Sequence, residues 1–112
     1  MPYSYIPAWL TQGGAPPAYT YPLDIQNGSG AFSTNLLRVA YAGSCLRVRR
    51  SSDDTEQDIG FSGTGLDVSA MLSFCGAGNG FVRTWYDQTG NGRDVGQVTN
   101  GVQPQIVTSG AL

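Results

Sequence analysis

The stretch from Phe81 to Asp94, FVRTWYDQTGNGRD, constrains the fold of this chain more than any other segment. It begins with residues that favour β-structure and then breaks into a turn at Gly90-Asn91-Gly92. Because the side chains of a strand alternate between two faces, Trp85 and Tyr86 point to opposite sides. Large side chains on both faces predict an inner strand of a layered β-fold, and another strand is predicted to start near Asp94.

The composition narrows the classes of function. The chain has 112 residues, enough for one small domain, and only 12% of them are charged. This low charge predicts a surface that is polar but neutral, or that is covered by other chains. A net charge of -2 gives no reason to expect a nucleic-acid partner, and the absence of His removes the commonest zinc ligand. No cofactor is predicted.

Residues 1–21, MPYSYIPAWLTQGGAPPAYTY, have an unusual composition, with four Pro, five Tyr or Trp and no charge. Pro16-Pro17 favours an extended path, so the segment is predicted to form an extended arm. One interpretation is a tail that packs on its own domain. The other is an arm that inserts into a neighbouring subunit, because aromatic side chains make strong interface anchors. The predicted anchors are Tyr3, Tyr5, Ile6, Trp9 and Leu10.

Residues 22–112 are predicted to form one mainly β domain with about six short strands and two helices. Cys45 to Arg50 and Glu56 to Phe61 alternate on either side of a polar turn, which predicts a β-hairpin. Asp67 is a good N-cap for the helix VSAMLSFC that follows it. The remaining predicted elements are a strand at Pro22 to Ile25, a helix at Asn35 to Ala42 and a last strand at Gln105 to Thr108.

The two cysteines, Cys45 and Cys75, are not arranged as CxxC. Free cysteine is one of the most buried residue types, so two buried thiols are favoured over a disulfide, which stays open as the alternative. No apolar run is long enough to span a membrane, and Met1-Pro2-Tyr3 does not resemble the start of a signal peptide. We therefore expect synthesis in a cytoplasm without export and no membrane insertion.

The densest group of carboxylates lies in one loop, at Asp53, Asp54, Glu56 and Asp58. Calcium would need several such oxygens converging on one point, but the spacing does not match an EF-hand. Arg47, Arg49 and Arg50 precede the loop across the predicted hairpin. Cross-strand ion pairing is therefore the favoured interpretation, and no metal site is predicted.

Trp85, Tyr86 and Asp87 are the candidate glycan-binding residues, because aromatic rings beside a carboxylate are typical of sugar sites. The alternative is that Asp87 caps the QTGNG turn, a frequent role of Asp before a glycine-rich turn, and this interpretation is favoured. An exposed, concave surface at Trp85 would favour the sugar site, whereas burial of Trp85 would argue against it.

Four segments together carry a resemblance to a known family: RVRRSSDDTEQDIGF, LDVSAMLSFCGAGNGF, WYDQTGNGRD and NGVQPQIV. They are similar to a module of tailed-phage virion proteins, which is itself related to the start of the catalytic domain of fungal α-L-arabinofuranosidases. The resemblance covers Leu36 to Val107. It implies a β-sandwich of the concanavalin/laminin-G type, here a small and incomplete jelly roll.

The resemblance assigns no catalytic residue to this chain, because the catalytic carboxylates of those hydrolases lie far downstream of the YDQTGNG turn. Cys75 stands where those enzymes have a cysteine, but the nearby partner is replaced within GAGNGF, so their local disulfide is not implied. A partial sandwich leaves a sheet face and an edge strand exposed, and we expect other subunits to cover them.

These observations lead to the expectation of a non-enzymatic phage structural protein, a head or tail decoration or fibre component located in the virion. Its expected partners are other virion proteins and copies of itself, with a homotrimer favoured, attached through the N-terminal arm. The alternative is a carbohydrate-binding module derived from a glycosidase, which would recognise a host surface glycan.

Overall fold

The computed structural model describes residues 21–112, and the chain in this range is mainly β, as predicted. Residues 1–20 of the predicted arm, with its anchors Tyr3, Tyr5, Ile6, Trp9 and Leu10, lie outside the described residues. The elements, in chain order, are α1 (Pro22–Ile25), β1 (Leu46–Arg50), β2 (Glu56–Ile59), β3 (Phe61–Ser62), β4 (Gly65–Leu66), α2 (Val68–Cys75), β5 (Gly80–Trp85), β6 (Val95–Gly96), a 3-10 turn (Asn100–Val102) and β7 (Gln105–Val107).

The main sheet is antiparallel throughout, with the strand order β2-β1-β5-β6 and with β7 also paired to β5. Strand β1 takes one edge of β5, whereas β6 and β7 share the other edge, one after the other. The prediction that the Phe81 stretch forms an inner strand is confirmed. The predicted hairpin of β1 and β2 is also confirmed, with Leu46 opposite Ile59 and Arg49 opposite Glu56.

The core lies on one face of this sheet, where α2 packs across β1 and β2. Its buried side chains come from strands, helix and turns that are far apart in sequence: Cys45, Leu46, Val48, Ile59, Met71, Cys75 and Val107. Helix α2 has the predicted bounds, and the Asp67 carboxylate accepts a hydrogen bond from the Ala70 amide at 3.0 Å, as an N-cap does. No helix within residues 21–112 is long and apolar enough to cross a membrane.

Two predicted elements between residues 22 and 42 are wrong. Pro22–Ile25 forms a helix instead of a strand, because Pro at the first helical position is already set to a helical φ. The predicted helix at Asn35 to Ala42 is absent, because other segments bind the backbone donors that a helix would use. The Leu36 amide donates to Thr64 O at 2.7 Å, and the Leu37 amide donates to Oε1 of Gln88 at 2.8 Å.

The acidic loop forms ion pairs, as predicted. Nε of Arg47 lies 2.8 Å from the Glu56 carboxylate across the hairpin, and the other two arginines pair with Asp54 and Asp53. Within residues 21–112 no group of three or more potential ligands is placed to hold a metal ion. Cys45 and Cys75 are both buried and free, which confirms the favoured interpretation of two thiols.

Candidate functional site

A groove of about 270 Å³ opens on the edge of β5 that β6 and β7 share. Between β6 and β7 the chain departs from the edge of β5 and forms a loop over residues 97–104. The Gln97 amide donates to Arg83 O at 2.9 Å on one side of the gap, and the Val82 amide donates to Pro104 O at 2.8 Å on the other. The groove is lined mainly by apolar groups: Val82, Arg83, Trp85, Val95, Gly96, Gln97, Val102 and Pro104.

The loop over residues 97–104 is held in place by Gln103, which is buried. Nε2 of Gln103 donates to Gln97 O at 2.8 Å, so the two ends of the loop are tied together. Oε1 of Gln103 accepts from Nε of Arg49 at 2.8 Å, which fixes the loop to the sheet. Arg49 is itself buried and lies over the ring of Phe81, 4.6 Å from its centroid. The groove therefore has a fixed wall.

Trp85 forms the rim of the groove and is 36% exposed. Its cross-strand neighbour is Val95, and the ring of Phe32 meets it edge to face with 6.3 Å between centroids. Such aromatic contacts hold a ring in one orientation. Of the three predicted glycan-binding residues, Trp85 is the one that lines the groove.

Tyr86 and Asp87 are engaged elsewhere. The Tyr86 hydroxyl donates to the Asp58 carboxylate at 2.6 Å, and burial together with this hydrogen bond raises the pKa of the phenol. Asp87 is buried, and its carboxylate accepts hydrogen bonds from the amides of Ala31, Thr89 and Arg93 and from the Thr89 hydroxyl. Asp87 therefore caps the turn, and the three predicted residues do not form one surface.

Burial by itself would raise the pKa of the Asp87 carboxyl. The hydrogen bonds from Thr89, Ala31 and Arg93 act in the opposite direction and outweigh it, so the pKa is lowered to about 2. Asp87 is thus ionised at neutral pH and acts as a fixed acceptor for backbone donors.

Gln88 is a structurally important residue that the sequence interpretation missed. It is fully buried, and its side-chain amide holds the segment before β1 at three points. Oε1 accepts from the Leu37 amide, and Nε2 donates to the carbonyls of Ser33 and Asn35. The sequence feature that could have indicated this role is the position of Gln88 between Asp87 and Thr89, in a run of polar residues after a strand.

Arg83 is the charged side chain that lines the groove. Its Nε lies 3.5 Å from Oε2 of Glu56. The other oxygen of Glu56 pairs with Arg47 at 2.8 Å, so one carboxylate bridges two guanidinium groups. Arg83 passes close over Gly96, where an added Cβ would lie 3.3 Å from its Nη1. The one charged side chain of the groove lining is therefore already paired.

All eight carboxylates of the sequence lie in residues 21–112, and each is within hydrogen-bonding or ion-pairing distance of a partner in the chain. Four belong to the ion pairs of the hairpin, and Asp67 and Asp87 act as caps. Asp24 accepts from the Val39 amide, and Asp94 accepts from the Asp87 amide.

The family model for the catalytic domain of α-L-arabinofuranosidase B matches residues 24–111. This chain belongs to that family. The match includes both sides of the groove and the capped turn after β5. It extends the resemblance found in the sequence, which began at Leu36, towards the N-terminus.

Solved structures of arabinofuranosidases agree with this assignment. The chain is similar to a GH54 α-L-arabinofuranosidase soaked with a cyclic sulfate inhibitor, with 31% identity and a TM-score of 0.63. The same values hold for a GH54 mutant soaked with 4-nitrophenyl α-L-arabinofuranoside and for an arabinofuranosidase complexed with arabinofuranosyl-α-1,2-xylobiose. Each match covers 70% of this chain and 18% of the solved chain. No curated protein sequence matches the chain.

The family assignment corrects two expectations. The interpretation as a non-enzymatic phage structural protein is wrong, because the family model and the solved structures that match are those of a glycosidase catalytic domain. The expectation that the protein is not an enzyme is wrong for the same reason. None of these findings tests the predicted virion partners, the homotrimer or the virion location. The glycan-binding role of Trp85, Tyr86 and Asp87 also stays a prediction.

Proposed function

We propose that this chain forms part of a glycoside hydrolase catalytic domain that acts on α-L-arabinofuranosides. The observation that supports this function is the family match over residues 24–111, together with 31% identity to solved arabinofuranosidases. Two of those relatives are named with an arabinofuranosyl ligand. One ligand is 4-nitrophenyl α-L-arabinofuranoside, and the other is arabinofuranosyl-α-1,2-xylobiose. The proposed substrate class is therefore glycans that carry α-L-arabinofuranosyl groups.

Glycoside hydrolysis normally requires two carboxyl groups on either side of the scissile bond, one of them protonated at the working pH. In this chain every side-chain carboxylate already accepts a hydrogen bond or forms an ion pair, as described above. The pKa of Asp87 is lowered, which suits a fixed acceptor and not a general acid. We therefore assign the acid and its partner carboxylate to polypeptide outside these 112 residues, while this chain supplies part of the sheet that positions them.

Hydrolysis of 4-nitrophenyl α-L-arabinofuranoside tests the proposed function. The full chain is assayed alone and after co-expression with the part of a GH54 α-L-arabinofuranosidase that lies outside the superposed region. We expect release of 4-nitrophenol from the co-expressed pair, above the rate of that second polypeptide alone. A 4-nitrophenyl glycoside of a different sugar is the substrate control. No release above either polypeptide alone would contradict the proposal.

A further inference from the structure

The sequence contains four Asn-Gly steps: Asn27-Gly28, Asn79-Gly80, Asn91-Gly92 and Asn100-Gly101. Asparagine is one of the chemically labile residue types. A glycine after it increases this lability, because glycine has no Cβ to obstruct the approach of its backbone nitrogen to the asparagine side chain. The two residues of the step are the same at all four sites, so differences in reactivity between the sites depend on the folded structure.

The reaction at an Asn-Gly step requires two kinds of freedom. The backbone nitrogen of the glycine forms a bond to Cγ of the asparagine, and the side-chain nitrogen leaves as ammonia. Water then opens the cyclic imide at one of its two carbonyls. One product is aspartate, and the other is isoaspartate, in which the main chain runs through Cγ and is one carbon longer. The asparagine side chain must therefore be free to rotate, and the glycine amide must be free of other bonds.

Asn27 meets both requirements. It lies directly after α1 and its cap residue, and both Asn27 and Gly28 are exposed. Among residues 21–112, neither the Asn27 side chain nor the Gly28 amide has a hydrogen-bond partner. The surroundings are also open, since a Cβ built on Gly28 would meet only the Gly30 carbonyl oxygen, at 3.8 Å. The backbone nitrogen of Gly28 can therefore approach Cγ of Asn27 without breaking a contact.

Asn79 is held in the opposite way. Its amide donates to Oγ of Ser51 at 2.9 Å, and its Oδ1 accepts from the Ser109 amide at 2.8 Å. Gly80 is buried and belongs to β5, where it pairs with Val107. The reaction at Asn79 would therefore have to wait for a local opening of this part of the fold.

Asn91 and Asn100 are intermediate cases, because both are exposed but tied by their side chains. Nδ2 of Asn91 donates to the carbonyls of Gly28 and Ser29, at 3.1 and 3.2 Å. Oδ1 of Asn100 accepts from Nε2 of Gln103 at 3.4 Å. These bonds hold each side chain in place, but few contacts have to break to release it.

We propose that Asn27 is a site of spontaneous modification in the folded protein, with water as the reactant and aspartate or isoaspartate as the product. Asn27 connects two attached pieces of chain. On one side the Leu23 amide of α1 donates to Leu37 O at 2.7 Å, and on the other the Gly28 carbonyl accepts from Asn91. Isoaspartate lengthens the chain between these attachments, so one of them has to shift. Modification thus loosens the contact between this segment and the turn after β5.

Peptide mapping of the full chain tests the proposal. The chain has no Lys, so trypsin cleaves only after its Arg residues and places each Asn-Gly step in its own peptide: residues 1–38, 51–83, 84–93 and 94–112. The chain is incubated at neutral pH, folded and in guanidinium chloride, and the mass gain of each peptide is followed, with fragmentation to locate it. We expect Asn27 to react when folded within about two-fold of its unfolded rate, and Asn79 at least about ten-fold more slowly when folded.

Gly28→Ala is the matched variant, because the added Cβ has room in the fold but obstructs the reaction at Asn27. It should slow modification of Asn27 in both states and leave the other three sites unchanged. Protection of Asn27 by about ten-fold or more in the folded chain would overturn the proposal, as would faster reaction of Asn79 than of Asn27 in that state.

The effect on the attachment has its own measurement. After incubation of the folded proteins, we expect the urea midpoint of the unchanged chain to fall below that of a fresh sample, whereas incubated Gly28→Ala keeps the midpoint of its own fresh sample. An unchanged midpoint in a sample whose Asn27 is converted to isoaspartate would overturn the proposed loosening of the contact with the turn.

Discussion

The amide of Ala31 donates a hydrogen bond to the carboxylate of Asp87 at 3.0 Å, although the two residues are 56 positions apart in the sequence. This bond and those of Gln88 attach the segment before β1, which has little regular secondary structure, to the turn after β5. Backbone amides and carbonyls outside regular secondary structure still need hydrogen-bond partners. Here the side chains of the turn supply partners that a neighbouring strand would otherwise provide. The most distinctive motif of the sequence therefore has a structural role.

Removing the Asp87 carboxylate is expected to destabilise the fold. Asp87→Ala leaves the amides of Ala31, Thr89 and Arg93 without their acceptor in a buried site. We expect a loss of about 3 kcal/mol in the free energy of unfolding, measured by urea denaturation with circular dichroism. Asp24→Ala is the control, because Asp24 accepts one exposed amide bond from Val39, and its expected loss is below about 1 kcal/mol. Equal losses in the two variants would contradict this prediction.

The pH dependence of stability follows from the same carboxylate. The pKa of Asp87 is lowered to about 2 in the folded chain, against about 3.9 for an Asp in an unfolded chain. A lowered folded-state pKa contributes stability above the unfolded value, and this contribution is lost as the pH falls from about 4 towards about 2. We expect urea midpoints to fall across this range, and to fall less steeply for Asp87→Asn, which cannot titrate. Parallel pH profiles for the two proteins would contradict the assignment to Asp87.

Gly80 allows helix α2 to pack closely against β5. A Cβ added there would lie 2.7 Å from Sγ of Cys75 and 3.1 Å from Cβ of Val107, both in the core. We therefore expect Gly80→Ala to cost about 2 kcal/mol, the usual magnitude for overpacking. Gly101→Ala is the matched control, because an added Cβ meets nothing within 4 Å there, and we expect a change below about 0.5 kcal/mol. Thermal unfolding of both variants measures the difference.

The two thiols are expected to be unreactive in the folded protein. Burial raises the pKa of Cys45 to about 11, and it also raises the pKa of Cys75, with Arg50 acting weakly in the opposite direction. Since the thiolate is the reactive form, an aromatic disulfide reagent at about pH 8 should modify neither cysteine in the native state. Both should react after unfolding in urea. A disulfide would leave both cysteines unreactive in urea as well, and rapid reaction in the native state would contradict the burial of the thiols.

Several elements could be predicted from the sequence because their determinants are local. The helix Val68–Cys75 has its N-cap at Asp67 and a stop at Gly76, and the β1–β2 hairpin has alternating residues around a polar turn. Asn35 to Ala42 has a helical pattern too, but the amides of Leu36 and Leu37 bond to Thr64 and Gln88. Such partners, 28 and 51 positions away, leave no trace in the local sequence.

The groove was only partly predictable. The aromatic pair Trp85-Tyr86 indicated the part of the chain where the groove lies. Because successive side chains of a strand point to opposite faces, only Trp85 lines the groove. The walls of the groove depend on where β7 takes over from β6 along the edge of β5 and on the loop held by Gln103. Strand registers and loop closures of this kind are set by tertiary contacts, so neither could be deduced from composition or periodicity.

The glycan prediction for Trp85 is tested most directly by titration. In a Trp9→Phe background, addition of an arabinoxylan oligosaccharide should change the Trp85 fluorescence if a sugar ring stacks on the indole, because stacking excludes water from the ring face. Trp85→Phe keeps an apolar ring, and Trp85→Ala removes it, so affinity measured by calorimetry should fall little in the first and more than ten-fold in the second. Tyr86→Phe is the control, because the Tyr86 hydroxyl is engaged with Asp58 away from the groove. An unchanged emission and no heat of binding at millimolar oligosaccharide would contradict glycan binding at Trp85.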